Sequence, residues 1–173
     1  FQGLMAVFVA AVALVFLLLL FLYERFRIVL AIMAIPLLSL STVFIGLWLT
    51  GIELNISAMM GMTMIVGIVT EVAIFYFSEY GDLLSISETG DIIPTLIEAG
   101  KNRMRPIVMS TFVAILTLLP LALAIGQGSA MQQPLAIAII SGLLIQIPLV
   151  LIVMPTLYHL LSSKKSIINP NVA

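Results

Sequence analysis

The chain has 173 residues, 62% of them hydrophobic and 9% charged, with a formal net charge of −1. No soluble core of this size absorbs so much apolar surface, so the composition points to an integral membrane protein. Its seven basic residues, absent cysteines and single histidine exclude a nucleic-acid stripe, disulfides, thiolate metal sites, Cys nucleophiles and a multi-His metal site, and nothing calls for a cofactor.

Residue 1 is Phe, and the first apolar run begins almost at once. It has no basic flank and no small-residue cleavage site, so it reads as a membrane span rather than a signal peptide, within a longer polypeptide. A bilayer core of ~30 Å needs ~20 helical residues. Runs over 4–22, 28–50, 56–77, 106–125 and 135–161 meet that length. Between the first two lie Arg25 and Arg27, and between the second and third the stretch 51–55, which holds no Lys or Arg.

Between the third and fourth runs, Ile92, Ile93, Leu96 and Ile97 recur at helical spacing among Glu88, Asp91, Glu98 and Lys101. That pattern predicts an amphipathic helix over 91–102 along the cytoplasmic membrane face, with Asp91 as its cap and Pro94 in its first turn. Arg103 and Arg105 follow, and Ser110, Thr111 and Thr117 continue into the fourth span. The 126–134 loop again lacks Lys and Arg, and the fifth span is long enough to kink near Gln146 and Pro148. Lys164 and Lys165 precede a polar tail that reads as a natural C-terminus.

The expected fold is therefore all-α: a polytopic membrane helix bundle of five transmembrane helices plus one cytoplasmic amphipathic helix. All the basic residues fall on one side, which the positive-inside rule makes cytoplasmic, with the chain's N-terminus outside and its C-terminus inside. Tyr23, Trp48, Tyr76, Tyr80 and Tyr158 lie near span ends, as an interfacial aromatic belt requires.

Glu71 is the residue composition does not explain. It sits in an otherwise uncharged run over 56–78. An acid at a bilayer centre costs roughly 3 kcal/mol, so such residues usually carry ions or protons. The plainer reading is a hydrogen-bonded pin between helices. Thr63, Gly67, Thr70, Glu71, Ile74 and Ser78 share one stripe, which predicts a packed interface and directs Glu71 into a bundle, with Gly61 and Gly67 in close contact. A carboxyl balanced between desolvation and a nearby cation exchanges protons in the working pH range. Arg103 and Arg105 are the candidate cations, with topology signalling as their alternative role. The hydroxyls of Thr70, Ser110 and Thr111 are candidate relays, with back-bonding to the helix as theirs. Met59, Met60, Met62 and Met64 cluster on the same span and read either as core filler or as thioether ligands for soft ions.

Several segments resemble, in order and spacing, the last five helices of the resistance–nodulation–division (RND) efflux permeases. They are YERFR (23–27) with IVLAIMAIPL (28–37), GLWLTGIELNIS (46–57), GMTMIVGIVTEVA (61–73), EAGKNRMRP (98–106) with IVMST (107–111), LLPLALAIG (118–126), PLAIAIISG (134–142) and VMPTLY (153–158). The resemblance implies a bacterial inner-membrane, proton-driven exporter. Its partners would be an N-terminal half with periplasmic porter domains, two further copies in a homotrimer, a periplasmic adaptor and an outer-membrane channel. The implied proton relay is Glu71, Arg103 and Ser110, supported by Thr70, Arg105 and Thr111. The drug-exporting branch usually carries Lys where this chain has Glu71, whereas the heavy-metal branch carries an acid. The resemblance therefore favours metal cations, with drugs or other toxic compounds as the alternative. An enzyme pairing Glu71 with His159 lacks any accompanying motif, and a remnant that inserts without transporting is the third reading.

Overall fold

Long runs of Leu, Ile, Val, Ala and Phe leave a chain in lipid one way to satisfy its own amides without a closed barrel, and that is the helix. The structure, a computed structural model, describes residues 2–24, 26–88 and 90–168, with side chains as far as Leu161. Arg25, Lys164, Lys165 and the tail beyond 168 therefore contribute no described side chain. The elements are α1 (Gln2–Tyr23), α2 (Phe26–Thr50), α3 (Ile56–Ile86), α4 (Ile92–Ala122) and α5 (Ser129–Pro148), then a π-helical turn (Leu149–Val153) and α6 (Met154–Ile168). No strand occurs among the described residues. Five segments are long and apolar enough to cross a membrane, the last running from Ser129 to Leu161. This is the all-α membrane bundle the composition requires.

The helices depart from the expected spans at places with local causes. Asn55 caps α3, its side chain accepting from the Ala58 amide at 2.9 Å. No proline follows the apolar run, so α3 continues past residue 77, through Gly81, to Ile86. Its 31 residues span about 46 Å at 1.5 Å each, more than the bilayer core, so Glu79 remains on the same rigid helix as Glu71. The amphipathic stretch expected over 91–102 and the span expected over 106–125 form one continuous helix, α4, through Pro106. Proline removes the bond to the Asn102 carbonyl, but Asn102 is exposed and its carbonyl can turn to water. Asp91 occupies the N-cap position of α4 without making the expected side-chain bond; its carbonyl instead accepts from the Thr95 hydroxyl at 2.6 Å. At the other marked proline, Pro148, the missing amide shifts the hydrogen-bond register, and the Met154 amide reaches back five residues to Leu149.

α2, α3 and α5 form the core, with Val29, Ile32, Ile35, Ile65, Val69 and Leu143 among the side chains removed from solvent. Close approach depends on three glycines. A Cβ on Gly46 would overlap the Ser141 side chain, one on Gly142 would overlap Ile65, and one on Gly61 would lie 2.9 Å from the Leu135 carbonyl oxygen. Gly67 does not share this role: nothing stands within 4 Å of where its Cβ would be. α1 and α4 flank the core and leave most of their apolar surface uncovered, with Leu19 the buried side chain of α1.

At the end of the bundle that carries Lys101, Arg103 and Arg105, Tyr76, Phe77, Tyr80 and Tyr158 pack edge to face. Of the residues expected in an aromatic belt, Trp48 is exposed near a span end, whereas Tyr76, Tyr80 and Tyr158 are buried in helix contacts. The Tyr76 hydroxyl donates to the Leu96 carbonyl at 2.8 Å and ties α3 to α4. Tyr76→Phe keeps the ring and removes that bond, and should lower unfolding stability in detergent by about 1 kcal/mol. An unchanged denaturation midpoint would show that the bond contributes nothing.

Candidate functional site

On α3 the side chains of Glu71, Phe75 and Glu79 recur every four residues and so line one helix face. Glu71 stands at the rim of two clefts. The larger, about 410 Å³, lies between α3, α4 and α5 and is lined by Glu71, Phe75, Arg103, Ser110, Thr111 and Gln146, among others. The smaller, about 250 Å³, lies against α1 and includes Leu19, Gly67 and Thr70. Within these five spans Glu71 is exposed, not enclosed as its helical stripe predicts. Periodicity identified the residues sharing a face, but not which neighbour covers it. Glu71 makes no hydrogen bond or ion pair with the other described residues, so within these spans its carboxylate is unengaged at an open flank between α1 and α4.

Arg103 is paired not with Glu71 but with Glu79, two turns further along α3. Its guanidinium donates to Glu79 Oε2 at 3.3 Å, while Asn102 Nδ2 donates to Glu79 Oε1 at 2.9 Å. The guanidinium carbon lies 5.7 Å from the centre of the Phe75 ring, within cation–π reach. Phe75 separates Glu71 from Glu79 along the helix, so the cation sits over the residue midway between two carboxylates. Both members of the ion pair are partly solvated, so the pair adds little stability and chiefly fixes position. Arg105, by contrast, is exposed and is not among the residues lining the cleft.

The hydroxyls divide by function. Ser110 donates to the Ile107 carbonyl at 3.1 Å, and buried Thr70 donates to Val66 at 2.6 Å. These are the back-bonds that hydroxyls make on helices, and they leave each oxygen able to accept. Thr111 instead accepts from Gln146 Nε2 of α5 at 2.6 Å. Sequence reasoning missed Glu79 and gave Gln146 only the part of a kink marker. The signal for Glu79 was its eight-residue spacing from Glu71, and for Gln146 an amide inside an apolar span.

Two other expected constellations do not assemble. Met59 and Met62 line a small cavity with Phe8 and Phe44, whereas Met60 and Met64 are each 51% exposed, so the four sulfurs do not converge. His159 lines a separate groove beside Lys101, apart from the clefts of Glu71. Among the described residues no group of three or more His, Cys, Asp or Glu could hold a metal ion.

Comparison with known proteins decides the family. The AcrB/AcrD/AcrF family model matches residues 2–162. The chain belongs to the AcrB/AcrD/AcrF family. It is 31% identical over 121 residues to the cobalt-zinc-cadmium resistance protein CzcA of Cupriavidus metallidurans, covering 69% of this chain and 11% of that protein. It is 32% identical over 122 residues to the toluene efflux pump membrane transporter TtgE of Pseudomonas putida, covering 70% of this chain and 12% of that protein. A crystal structure of a heavy metal efflux pump superposes with a TM-score of 0.75 at 31% identity, over 88% of this chain and 15% of that one. The AcrB/AcrD/AcrF-family assignment bears out the resemblance to RND efflux permeases and makes this a multi-pass membrane protein of an efflux-transporter family. The chain spans about a tenth of the length of the curated relatives it matches.

Proposed function

We propose that this chain is the part of a proton-driven efflux permease that carries one side of the proton relay. Glu71 takes up and releases the proton. Arg103 stabilises its charged form when released from Glu79, and Ser110 offers an oxygen beside the path. Thr70 and Thr111 support the site, while Arg105 acts at the membrane surface. The observation that carries this reading is one cleft lined by Glu71, Arg103, Ser110 and Thr111 within an otherwise apolar bundle. A lone carboxylate does not make a vectorial path, and the open flank beside Glu71 is where a helix bearing a second acid would pack.

The remaining reading follows the family. The permease sits in a bacterial inner membrane as a homotrimer, with periplasmic porter domains supplied by the rest of the polypeptide, and works with a periplasmic adaptor and an outer-membrane channel. Basic residues at one end of the bundle support a periplasmic N-terminus and a cytoplasmic C-terminus for this chain. The acid at position 71 and the similarity to CzcA favour metal cations as cargo. The similarity to TtgE supports toxic organic compounds as the second reading.

Everted vesicles containing the intact polypeptide should accumulate zinc when a pH gradient is imposed, and stop when it is collapsed. Accumulation of a hydrophobic dye but not zinc would move the cargo to the second reading. Uptake that persists without any gradient would contradict proton coupling.

A further inference from the structure

The apolar residues of the amphipathic stretch over 91–102 are not all spent inside the bundle. Leu96 is buried, but Ile93 and Ile97 stay 54% and 55% exposed. With Met104 of α4 and Leu151 of the π-helical turn they line a groove of about 430 Å³ between α4 and the end of the last span. That volume lies within the ~300–1,000 Å³ typical of small-ligand sites. The groove shares no lining residue with the two clefts of Glu71, and the relay makes no use of it.

Its polar groups are basic. Lys101 and His159 line it, and no carboxylate does. Lys101 is exposed and makes no ion pair with the other described residues. Glu98, one turn before it, is exposed but is not part of the groove lining. The two basic side chains come from different helices, and the fold brings them to similar levels. The Gln146–Thr111 bond sets the register of antiparallel α4 and α5. Lys101 stands ten residues before Thr111, and Thr156 ten after Gln146, so these two are roughly level, with His159 about 4.5 Å further on. Helical side chains tilt towards the N-terminus of their own helix. Lys101 therefore leans towards the level of His159, and His159 back towards that of Lys101. By the same register Leu151 is level with Pro106, where the apolar part of α4 begins, so the groove runs from the hydrocarbon region out to the basic groups.

We propose that this groove holds an anionic phospholipid, its phosphate at Lys101 and His159 and an acyl chain laid over Ile97, Met104 and Leu151. An ammonium and a ring N–H both donate to phosphate oxygens, and the charged donor makes the stronger bond. Basic pockets between membrane helices are a recurrent place for such headgroups. An inorganic anion would leave the apolar walls unused, and a lipid without net charge would gain less from Lys101. The site is independent of the relay and would hold its lipid whatever Glu71 does.

The test uses the intact polypeptide, purified in an uncharged detergent and titrated with phosphatidylglycerol or phosphatidylcholine, the first lipid bound being followed by native mass spectrometry. Phosphatidylglycerol should bind the more tightly. Lys101→Gln should weaken its binding about fivefold, the change that ~1 kcal/mol for one basic residue at a membrane surface corresponds to. Arg27→Gln removes the same charge from the start of α2, away from the groove, and should leave that affinity unchanged. Gly100→Leu narrows the groove at constant charge and should weaken the binding of either lipid. A Cβ at Gly100 would meet only the Tyr76 ring, at an ordinary 3.8 Å, so the fold accepts a side chain there. Equal weakening by Lys101→Gln and Arg27→Gln would reduce the effect to diffuse attraction and overturn the site. Equal affinity for the two lipids, or an unchanged affinity in Gly100→Leu, would overturn it as well. Should the variants fail to accumulate, density of the wild type in phosphatidylglycerol nanodiscs decides. A phosphate within about 4 Å of Lys101 Nζ supports the proposal, whereas an empty groove or one filled by another segment of the polypeptide overturns it.

Discussion

Glu71→Gln in the intact polypeptide is expected to abolish proton-coupled export while leaving the protein at normal abundance in the membrane. The substitution keeps the shape and hydrogen-bonding length of the side chain and removes its ability to exchange a proton. Loss of a positioned acid or base costs typically 10²–10⁴-fold, so residual export should fall at least about a hundredfold. Abundance should not fall, because Gln matches Glu in size and hydrogen-bonding reach, and Glu71 is engaged in none of the described hydrogen bonds or ion pairs that hold these five spans together. The comparison is made by blotting membranes and measuring cargo export in the same cells. Export retained at the wild-type rate would remove Glu71 from the relay.

The second large effect concerns stability. Gly142→Val should destabilise the bundle by about 3 kcal/mol, the upper part of the range for overpacking a filled core. The reason is geometric. A Cβ at Gly142 falls on the side chain of Ile65, which has 0% exposure and cannot move into solvent. Adding Ile65→Ala to Gly142→Val vacates the contested space and should restore part of the loss, a coupling that a double-mutant cycle reads directly. Gly67→Ala provides the contrast. It has open space at its Cβ, and replacing a mid-helix glycine should leave stability unchanged or raise it by up to ~1 kcal/mol. Equal losses at Gly142 and Gly67 would contradict the packing described for α3 and α5.

The sequence made the spans legible because nothing competes with an uninterrupted apolar run in lipid. It was less informative wherever an outcome depended on a neighbour. Pro106 read as a boundary, since a residue before proline disfavours helix, yet the helix passes through it where Asn102 can be solvated. Gly61 and Gly67 look alike in a string, but Gly61 meets the Leu135 backbone and Gly67 meets nothing. Tyr76 and Tyr80 stand near a span end, as belt residues would, and are instead buried against Tyr158 and α4.

The candidate site shows the same division. Glu71 was conspicuous because its charge is expensive in that setting. Arg103 and Ser110 stood out as a cation and a hydroxyl entering the next span, the resemblance singled them out for the relay, and both line its cleft. Arg105, two residues from Arg103, lies about 200° further round the helix by ideal geometry and does not line it. Glu79 escaped notice because the apolar run ends before it, although the helix does not. Gln146 escaped because its partner, Thr111, lies thirty-five residues away on another helix.

The central claim is that Glu71 carries the transported proton. The most direct test is proton movement itself: proteoliposomes of the intact polypeptide and of Glu71→Gln, loaded with a pH-sensitive dye and given cargo and a pH gradient. Cargo-dependent proton flux in the wild type, absent from Glu71→Gln reconstituted at equal density, is the predicted result. Equal cargo-dependent flux in the two preparations would contradict it.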